Sequence, residues 1–115
     1  METLDVLYNR FIRRGIPVYV GEYGCVHRNT AKEEEFRKYY LEYTCKALKE
    51  HKIPVLVWDN GKKMYGEEAF GLMTHDEGKF ISNGEEIVKT MIDAWNNDDP
   101  SYTLESIYAK APKAR

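Results

Sequence analysis

A short apolar pattern that occurs twice limits what this chain can fold into. The segments at 16–20 (Ile-Pro-Val-Tyr-Val) and 53–57 (Ile-Pro-Val-Leu-Val) begin 37 residues apart. Each follows a stretch with the periodicity of an amphipathic helix and leads into a loop. Continuous apolar runs are typical of strands buried on both faces, and helices between such strands predict parallel pairing, because parallel neighbours need a crossover. We therefore predict an α/β protein whose two parallel strands span residues 16–20 and 53–58.

Three main helices are predicted around these strands. Apolar residues with helical spacing, followed by Gly15 as a C-terminal cap, predict a first helix over residues 3–14. The sequences Thr-Ala-Lys-Glu at 30–33 and Ser-Asn-Gly-Glu at 82–85 have the spacing of a capping box, so the second and third helices are expected to begin there. On the second helix, the predicted buried residues are Phe36, Tyr40, Tyr43, Ala47 and Leu48, and the predicted solvated charges are Glu35, Lys38, Glu42, Lys46 and Lys49.

Composition narrows the classes of partner. With 115 residues, 43% of them hydrophobic, the chain can form one domain or a piece of one. With 17 basic and 19 acidic residues, the chain has no excess of positive charge that would bind nucleic acid or an anionic membrane. We therefore expect neither as a partner. The first residues lack the pattern of a secretory signal, so a signal for export would lie outside this chain. Cys25 and Cys45 fit neither a disulfide framework nor a zinc spacing, and we expect ordinary thiols.

Two parallel strands are too few for a self-sufficient sheet. Each strand would keep an unpaired edge, and each helix would keep an apolar face without a partner. The pattern therefore predicts that the chain is part of a larger array of βα units. We expect these surfaces to be covered by self-association into a homo-oligomer, with helices exchanged around a shared sheet, or by a missing N-terminal half of a barrel.

Two candidate site segments lie at the predicted carboxyl ends of the strands. Glu22 is the charge that ends the first apolar run, and Trp58, Asp59 and Asn60 end the second. Ligands of parallel βα arrays bind at these ends, because the loops converge there. A carboxylate beside an indole suits sugar chemistry: the acid acts at an oxocarbenium-like centre, and the aromatic face packs against a pyranose ring.

The segment 59–81 is much longer than a typical loop between a strand and a helix, and long ordered loops are usually functional. It contains His75, Asp76 and Glu77, which could suggest a metal site. No paired-histidine spacing supports one, so we expect no metal.

The residues around both strand ends resemble a known family. Residues 16–24 end in Val-Gly-Glu-Tyr-Gly, the second strand ends in Val-Trp-Asp-Asn-Gly at 57–61, and Phe-Gly-Leu follows at 70–72. In this order and separation, the motifs resemble the end of a family five glycoside hydrolase of the cellulase (endoglucanase) type. The resemblance covers residues 16–95 and implies the seventh and eighth βα units of a (β/α)8 barrel. Residues 1–115 would then be the C-terminal fragment of such a domain.

The resemblance also implies roles for individual residues. Glu22 would be the nucleophile of a retaining endo-β-1,4-glucanase, and Trp58 would be the platform beneath the sugar. The other predicted substrate-binding residues are Asn60, Tyr65 and His27. The substrate would be a β-glucan or a related polysaccharide, and the reaction would need neither a metal nor another cofactor.

A retaining mechanism needs a second carboxyl group about 5 Å from the nucleophile. The family takes this acid/base from an Asn-Glu-Pro motif on the fourth strand, and the sequence contains no such tripeptide. Asp59 directly follows Trp58 and so points differently, and no spacing places Glu67 opposite Glu22, so we expect neither to be the acid. This chain alone is therefore expected to be inactive or nearly so.

Simpler roles stay open for the same residues. Glu22 could be a salt-bridged carboxylate at a strand end, and Trp58 could be a core residue. His27 could be an exposed loop residue. For the whole chain, the alternative to an enzyme fragment is a non-catalytic module of α/β fold, which binds sugar through Trp58 and Tyr65 or completes a barrel with another chain.

Overall fold

A computed structural model describes residues 2–62 and 68–113 of the chain. In chain order its elements are α1 (Glu2–Arg10), a 3-10 turn (Ile12–Arg14), β1 (Val20–Tyr23), α2 (Ala31–Glu50), β2 (Val55–Val57), α3 (Gly84–Asn96) and α4 (Leu104–Ala109). Helix and strand alternate through β2, as the repeated unit predicts. No helix within the described ranges is long and apolar enough to cross a membrane.

The two strands form one parallel sheet, which confirms the predicted pairing. Val20 is opposite Val55, and Tyr23 is opposite Val57, with an irregularity in β1 between these two pairs. At the amino ends, the Val20 N–H donates a 2.9 Å hydrogen bond to the carbonyl oxygen of Pro54. The carboxyl ends of β1 and β2 therefore lie side by side.

The bounds of both strands differ from the prediction. β1 begins at Val20 instead of Ile16 and continues to Tyr23, so Glu22 lies inside the strand and not just beyond it. β2 is shorter than the predicted strand at 53–58. An apolar run indicates burial, whereas backbone pairing decides where a strand begins and ends. Only part of each run lies opposite the other strand.

The prediction that both faces of the strands are buried is wrong for this chain. Tyr23 is buried, but Leu56 exposes 58% of its surface, and Tyr19, just before β1, exposes 67%. The core lies on the side of the sheet that faces α2 and α3. Its members there include Leu41, Cys45, Leu48, Ile87, Met91 and Ala94. The opposite face of the sheet is open to solvent.

The first helix is shorter than predicted. α1 ends at Arg10, and the 3-10 turn continues the segment to Arg14. Gly15 then adopts a left-handed φ of 83°, and its N–H donates to the carbonyl oxygen of Ile12. Because this region of φ favours glycine, the predicted C-terminal cap is confirmed.

One of the two predicted capping boxes is present. The Thr30 hydroxyl accepts from the Glu33 N–H while the Glu33 carboxylate accepts from the Thr30 N–H, so α2 begins as predicted. The box predicted at 82–85 is wrong: the N-cap residue of α3 is Asn83, without a side-chain cap bond. The Asn83 amide instead donates to the Glu34 carboxylate at 3.1 Å, so a tertiary contact replaces the local one.

Two assignments on α2 are also wrong. Lys46, predicted to be solvated, is buried, and its ammonium group lies 5.1 Å from the centroid of the Tyr102 ring. The segment around α4 brings Tyr102 to this side of α2. Tyr40, predicted to be buried, is 51% exposed, because it lies at the edge of the buried stripe.

Candidate functional site

Glu22 and Trp58 lie on the open face of the sheet. Neighbouring strand residues point to opposite faces. Tyr23 is buried towards the helices and Glu22 is exposed, so Glu22 belongs to the open face. Trp58 follows Val57, which lines a groove against α3, and Trp58 is 45% exposed. Because Tyr23 lies opposite Val57, this alternation assigns Glu22 and Trp58 to the same face, at the carboxyl ends of adjacent strands.

Their surroundings bear on the simpler roles considered above. At 45% exposure, Trp58 is not a core residue. Within residues 2–62 and 68–113, no ion pair includes Glu22, so the salt-bridged role has no partner in that part of the chain. Both side chains are open to a ligand.

Asp59 organises the loop that follows β2. Its Oδ1 accepts from the backbone N–H groups of Gly61 and Leu72, each at 3.0 Å, and its Oδ2 accepts from the Met73 N–H at 3.2 Å. Desolvation acts to raise the pKa of Asp59, but these three donors outweigh it and hold the pKa below its usual range. An ionised carboxylate whose oxygens are engaged in this way is unsuited to act as a general acid.

Asn60 lies in the same loop. Its side-chain nitrogen donates to the carbonyl oxygen of Glu68 at 2.6 Å, and its side-chain oxygen accepts from the Lys62 N–H at 3.2 Å. These bonds hold the loop, and its role in sugar binding stays a prediction. The predicted binding residue Tyr65 and the alternative acid Glu67 lie outside the described residues.

His27 is buried, which neither of its expected roles anticipated. It is 4% exposed, its Nε2 lies 2.6 Å from the carbonyl oxygen of Gly71, and its Nδ1 lies 3.2 Å from Nη1 of Arg37. Its backbone N–H also donates to the carbonyl oxygen of Ala69 at 2.9 Å. Because both ring nitrogens are engaged inside the protein, neither faces a sugar in this structure. We do not retain His27 among the proposed binding residues.

A buried ion pair on α2 joins three parts of the chain. Arg37 Nη1 lies 3.1 Å from Oε2 of Glu34, and Arg37 Nε donates to the carbonyl oxygen of Cys25 at 3.3 Å. Glu34 accepts in addition from the Arg28 N–H at 2.6 Å and from the side chain of Asn83. Desolvation acts to raise the pKa of Glu34, but these donors and Arg37 lower it below its usual value. The pair therefore ties α2 to the loop after β1 and to the start of α3.

Sequence reasoning missed this ion pair, although a signal for it exists. Glu34 and Arg37 continue the stripe of Leu41, Cys45 and Leu48 at steps of three and four residues, and all five are buried. Opposite charges three residues apart on a buried stripe indicate an ion pair that is buried with it. Reading the charges of α2 as one solvated face concealed this pattern.

Known proteins are similar to this chain in sequence. The family model described as Cellulase (glycosyl hydrolase family 5) matches residues 1–64, a range that includes Glu22 and Trp58. The chain belongs to this family. Endoglucanase B of Neocallimastix patriciarum is 37% identical to it over 71 residues, which make up 62% of this chain and 14% of that protein.

Solved structures share the fold. A native Bacteroidetes-affiliated GH5 cellulase linked with a polysaccharide utilization locus matches with a TM-score of 0.92 and 51% identity, covering 97% of this chain and 29% of its own. A GH5-4 broad specificity endoglucanase from Bacteroides salanitronis matches with a TM-score of 0.76 and 38% identity, covering 82% of this chain and 25% of its own. The chain is therefore a partial (β/α)8 barrel, as predicted, and it spans less than a third of the length of these relatives.

Proposed function

We propose that this chain supplies the nucleophile and the sugar platform of a retaining endo-β-1,4-glucanase. One observation carries the proposal: Glu22 in β1 and Trp58 directly after β2 are both exposed, at the carboxyl ends of two adjacent parallel strands. Membership of the cellulase family supports it. The proposed substrate is a β-glucan or a related polysaccharide.

In this proposal, the Glu22 carboxylate attacks the anomeric carbon while the bond to the leaving sugar breaks, and a covalent glycosyl-enzyme forms. A second carboxylic acid protonates the leaving oxygen. Water then attacks the anomeric carbon, the second carboxylate takes a proton from that water, and Glu22 is released. The Trp58 ring packs beneath the sugar and keeps the anomeric carbon within reach of Glu22.

The second carboxyl group is proposed to come from outside this chain. It must lie about 5 Å from the nucleophile. Asp59 is held by three backbone donors, and the sequence contains no Asn-Glu-Pro tripeptide. We therefore infer that residues 1–115 act as the C-terminal segment of a barrel domain and are inactive without the rest of the barrel.

The chain has surfaces on which the rest of a barrel would pack. A groove of about 560 Å³ lies beside β2 and is lined by apolar residues that include Val55, Val57, Met91 and Trp95. Ile92 of α3 lines the same groove and is 53% exposed. Exposed apolar surface of this kind is typical of an interaction site. An N-terminal barrel half or a second copy of the chain would cover it.

An assay of the purified chain tests the inferred inactivity. The chain is incubated with a soluble β-glucan, and the reducing ends are measured. We expect no turnover above the buffer control, because the leaving oxygen finds no proton donor. Clear turnover that is abolished by Glu22→Gln would show that the chain contains its own acid, and the inference would be wrong.

A chimera tests the role of Glu22 directly. This chain replaces the matching segment of the Bacteroidetes-affiliated cellulase, of which it covers 29%. We expect the chimera to hydrolyse β-glucan, and Glu22→Gln to lower kcat by a factor on the order of 10³ or more, because no covalent intermediate can form. Glu85→Gln, at an exposed glutamate in the first turn of α3, is the matched control and is expected to leave kcat unchanged. Equal effects of the two substitutions would contradict the role of Glu22.

The exposed indole of Trp58 also suits a second candidate function, a non-catalytic module that binds sugar. Calorimetric titration of the chain with a cello-oligosaccharide distinguishes the two functions. If the chain binds the cello-oligosaccharide, loses this binding in Trp58→Ala, and gives an inactive chimera, the sugar-binding module is favoured. Tyr108→Ala is the matched control, because Tyr108 is an exposed aromatic residue on α4, away from the sheet.

A further inference from the structure

Hydrogen bonds link the ends of β1 and β2 behind the site. Arg37 of α2 binds two residues of the loop that follows β1. It donates through Nε to the carbonyl oxygen of Cys25 and through Nη1 to Nδ1 of His27. After β2, the Asp59 carboxylate accepts two backbone N–H groups from the segment 69–73. His27 contacts the same segment twice, through its ring and through its backbone N–H. The segment 69–73 is therefore held from both strand ends.

The chemistry of Arg37 determines how the His27 ring is used. A guanidinium group can only donate hydrogen bonds, so Nδ1 of His27 accepts and the ring proton lies on Nε2. Nε2 then donates to the carbonyl oxygen of Gly71 at 2.6 Å. The tautomer and the direction of both bonds follow from the two partners. His27 has no freedom to rotate its ring without losing them.

The segment 69–73, which His27 holds, packs tightly against the loop after β2. A Cβ atom built on Gly71 would lie 2.4 Å from the carbonyl oxygen of Lys62, so the segment contacts the loop after β2 directly. A Cβ atom built on Gly24 would lie 3.6 Å from the carbonyl oxygen of Trp58 and 3.9 Å from the Phe70 ring. The residues that follow Glu22, the Trp58 backbone and the segment 69–73 thus meet at Gly24.

We propose that His27 is a positioning residue for the sugar platform. By holding the carbonyl oxygen of Gly71, it places the segment 69–73 against Asp59 and so fixes Trp58 relative to Glu22. The inference rests on the proposed function in one respect only, the role given to Trp58 as the platform. His27 follows β1, the strand that contains Glu22. In this proposal it supports the site from inside the protein and does not contact the substrate.

Two substitutions separate the two ring bonds. In His27→Gln, the amide nitrogen takes the place of Nε2 and can still donate to Gly71, but the acceptor for Arg37 is lost. In His27→Asn, the amide oxygen takes the place of Nδ1 and can still accept from Arg37, but the donor to Gly71 is lost. The proposal requires the bond to Gly71, so Gln is expected to rescue the site and Asn is not.

NMR measurements on the full chain without sugar provide the test. In His27→Asn, we expect the amide protons of Leu72 and Met73 to exchange roughly tenfold faster, although neither bonds to His27, and the indole N–H resonance of Trp58 to shift. In His27→Gln, exchange should stay within about threefold of the unsubstituted chain. Amides in the middle of α3 serve as the internal control and should be unchanged in both variants.

The outcomes keep this proposal distinct from the proposed function, because no sugar is present. Similar behaviour of the two variants, or unchanged Leu72, Met73 and Trp58 signals in both, would overturn the positioning role even if the chimera is active. An inactive chimera would count against the function alone. If His27→Asn does not fold, the unsubstituted chain decides: a ring proton on Nδ1 of His27, or no coupling from Nε2 to the Gly71 carbonyl group, would overturn the proposal.

Discussion

The hydroxyl group of Tyr23 donates a 2.7 Å hydrogen bond to the backbone carbonyl oxygen of Leu41. This bond joins the last residue of β1 to the middle of α2. Neighbouring residues of a strand point to opposite faces, so holding Tyr23 against the helix keeps Glu22 on the open face. Burial of the phenol also raises the pKa of Tyr23 above its ordinary value.

Tyr23→Phe is expected to lower the free energy of unfolding by about 1–2 kcal/mol, because a buried hydrogen bond is lost without replacement. Denaturant unfolding followed by circular dichroism measures this change. Tyr19→Phe is the matched control. Tyr19 is 67% exposed, so a change within about 0.5 kcal/mol is expected. An equal loss of unfolding free energy in both variants would contradict the stabilising role of the Tyr23 hydrogen bond.

Gly71→Ala is expected to destabilise the chain by about 2 kcal/mol or more, because the new methyl group would lie 2.4 Å from the carbonyl oxygen of Lys62. Gly21→Ala is the control, since the nearest atom to a Cβ there is a Tyr19 ring carbon at 3.9 Å. The free energies of unfolding of the two variants provide the comparison. A Gly71→Ala variant as stable as Gly21→Ala would show that the segment 69–73 is loosely packed.

His51 is expected to make stability depend on pH. Its Nδ1 and Nε2 each lie 2.7 Å from an acceptor, the Ala47 carbonyl oxygen and Asp5 Oδ1, so only the protonated ring can donate to both. Desolvation acts to lower the pKa of His51, but the Ala47 carbonyl, Asp5 and the nearby Glu50 charge raise it above its ordinary value. A raised pKa means that the stabilisation is fully present below the unfolded value of about 6.5 and is lost as pH rises through the folded value.

Unfolding measured at several pH values between about 5.5 and 8.5 checks this expectation. Asp5→Asn removes the charge that stabilises the imidazolium, and its stability should fall less over this range than that of the unsubstituted chain. Identical pH dependence of the two proteins would mean that the contact of His51 with Asp5 contributes nothing to linkage.

The open face of the sheet is expected to drive self-association of the isolated chain. Leu56 lies on this face and exposes 58% of its surface. Leu56→Lys should therefore shift the sedimentation profile towards the monomer, because a charge opposes burial of the face. Tyr108→Lys, at an exposed aromatic residue on α4, should not. A folded monomer at high concentration before any substitution would contradict the expectation.

Much of the fold could be predicted because the responsible patterns are local. The repeat at 16–20 and 53–57 indicated parallel pairing, and the spacing of Thr30 and Glu33 located the start of α2. The same reasoning failed at Ser82, where a local capping box was predicted. The side-chain amide of Asn83 donates to Glu34, 49 residues away, and no local sequence pattern predicts that contact.

The amino-acid sequence by itself determined the repeated helix-strand unit, the caps at Gly15 and Thr30, and the motifs around Glu22 and Trp58 that indicate the cellulase family. Only the tertiary structure decided which face of each strand is covered and where His27 points. His27 and Gly71 are 44 residues apart, and their bond forms because the loop after β1 packs against the loop after β2. Periodicity and capping act within a few residues, whereas burial of a polar side chain depends on partners that only the folded chain brings together.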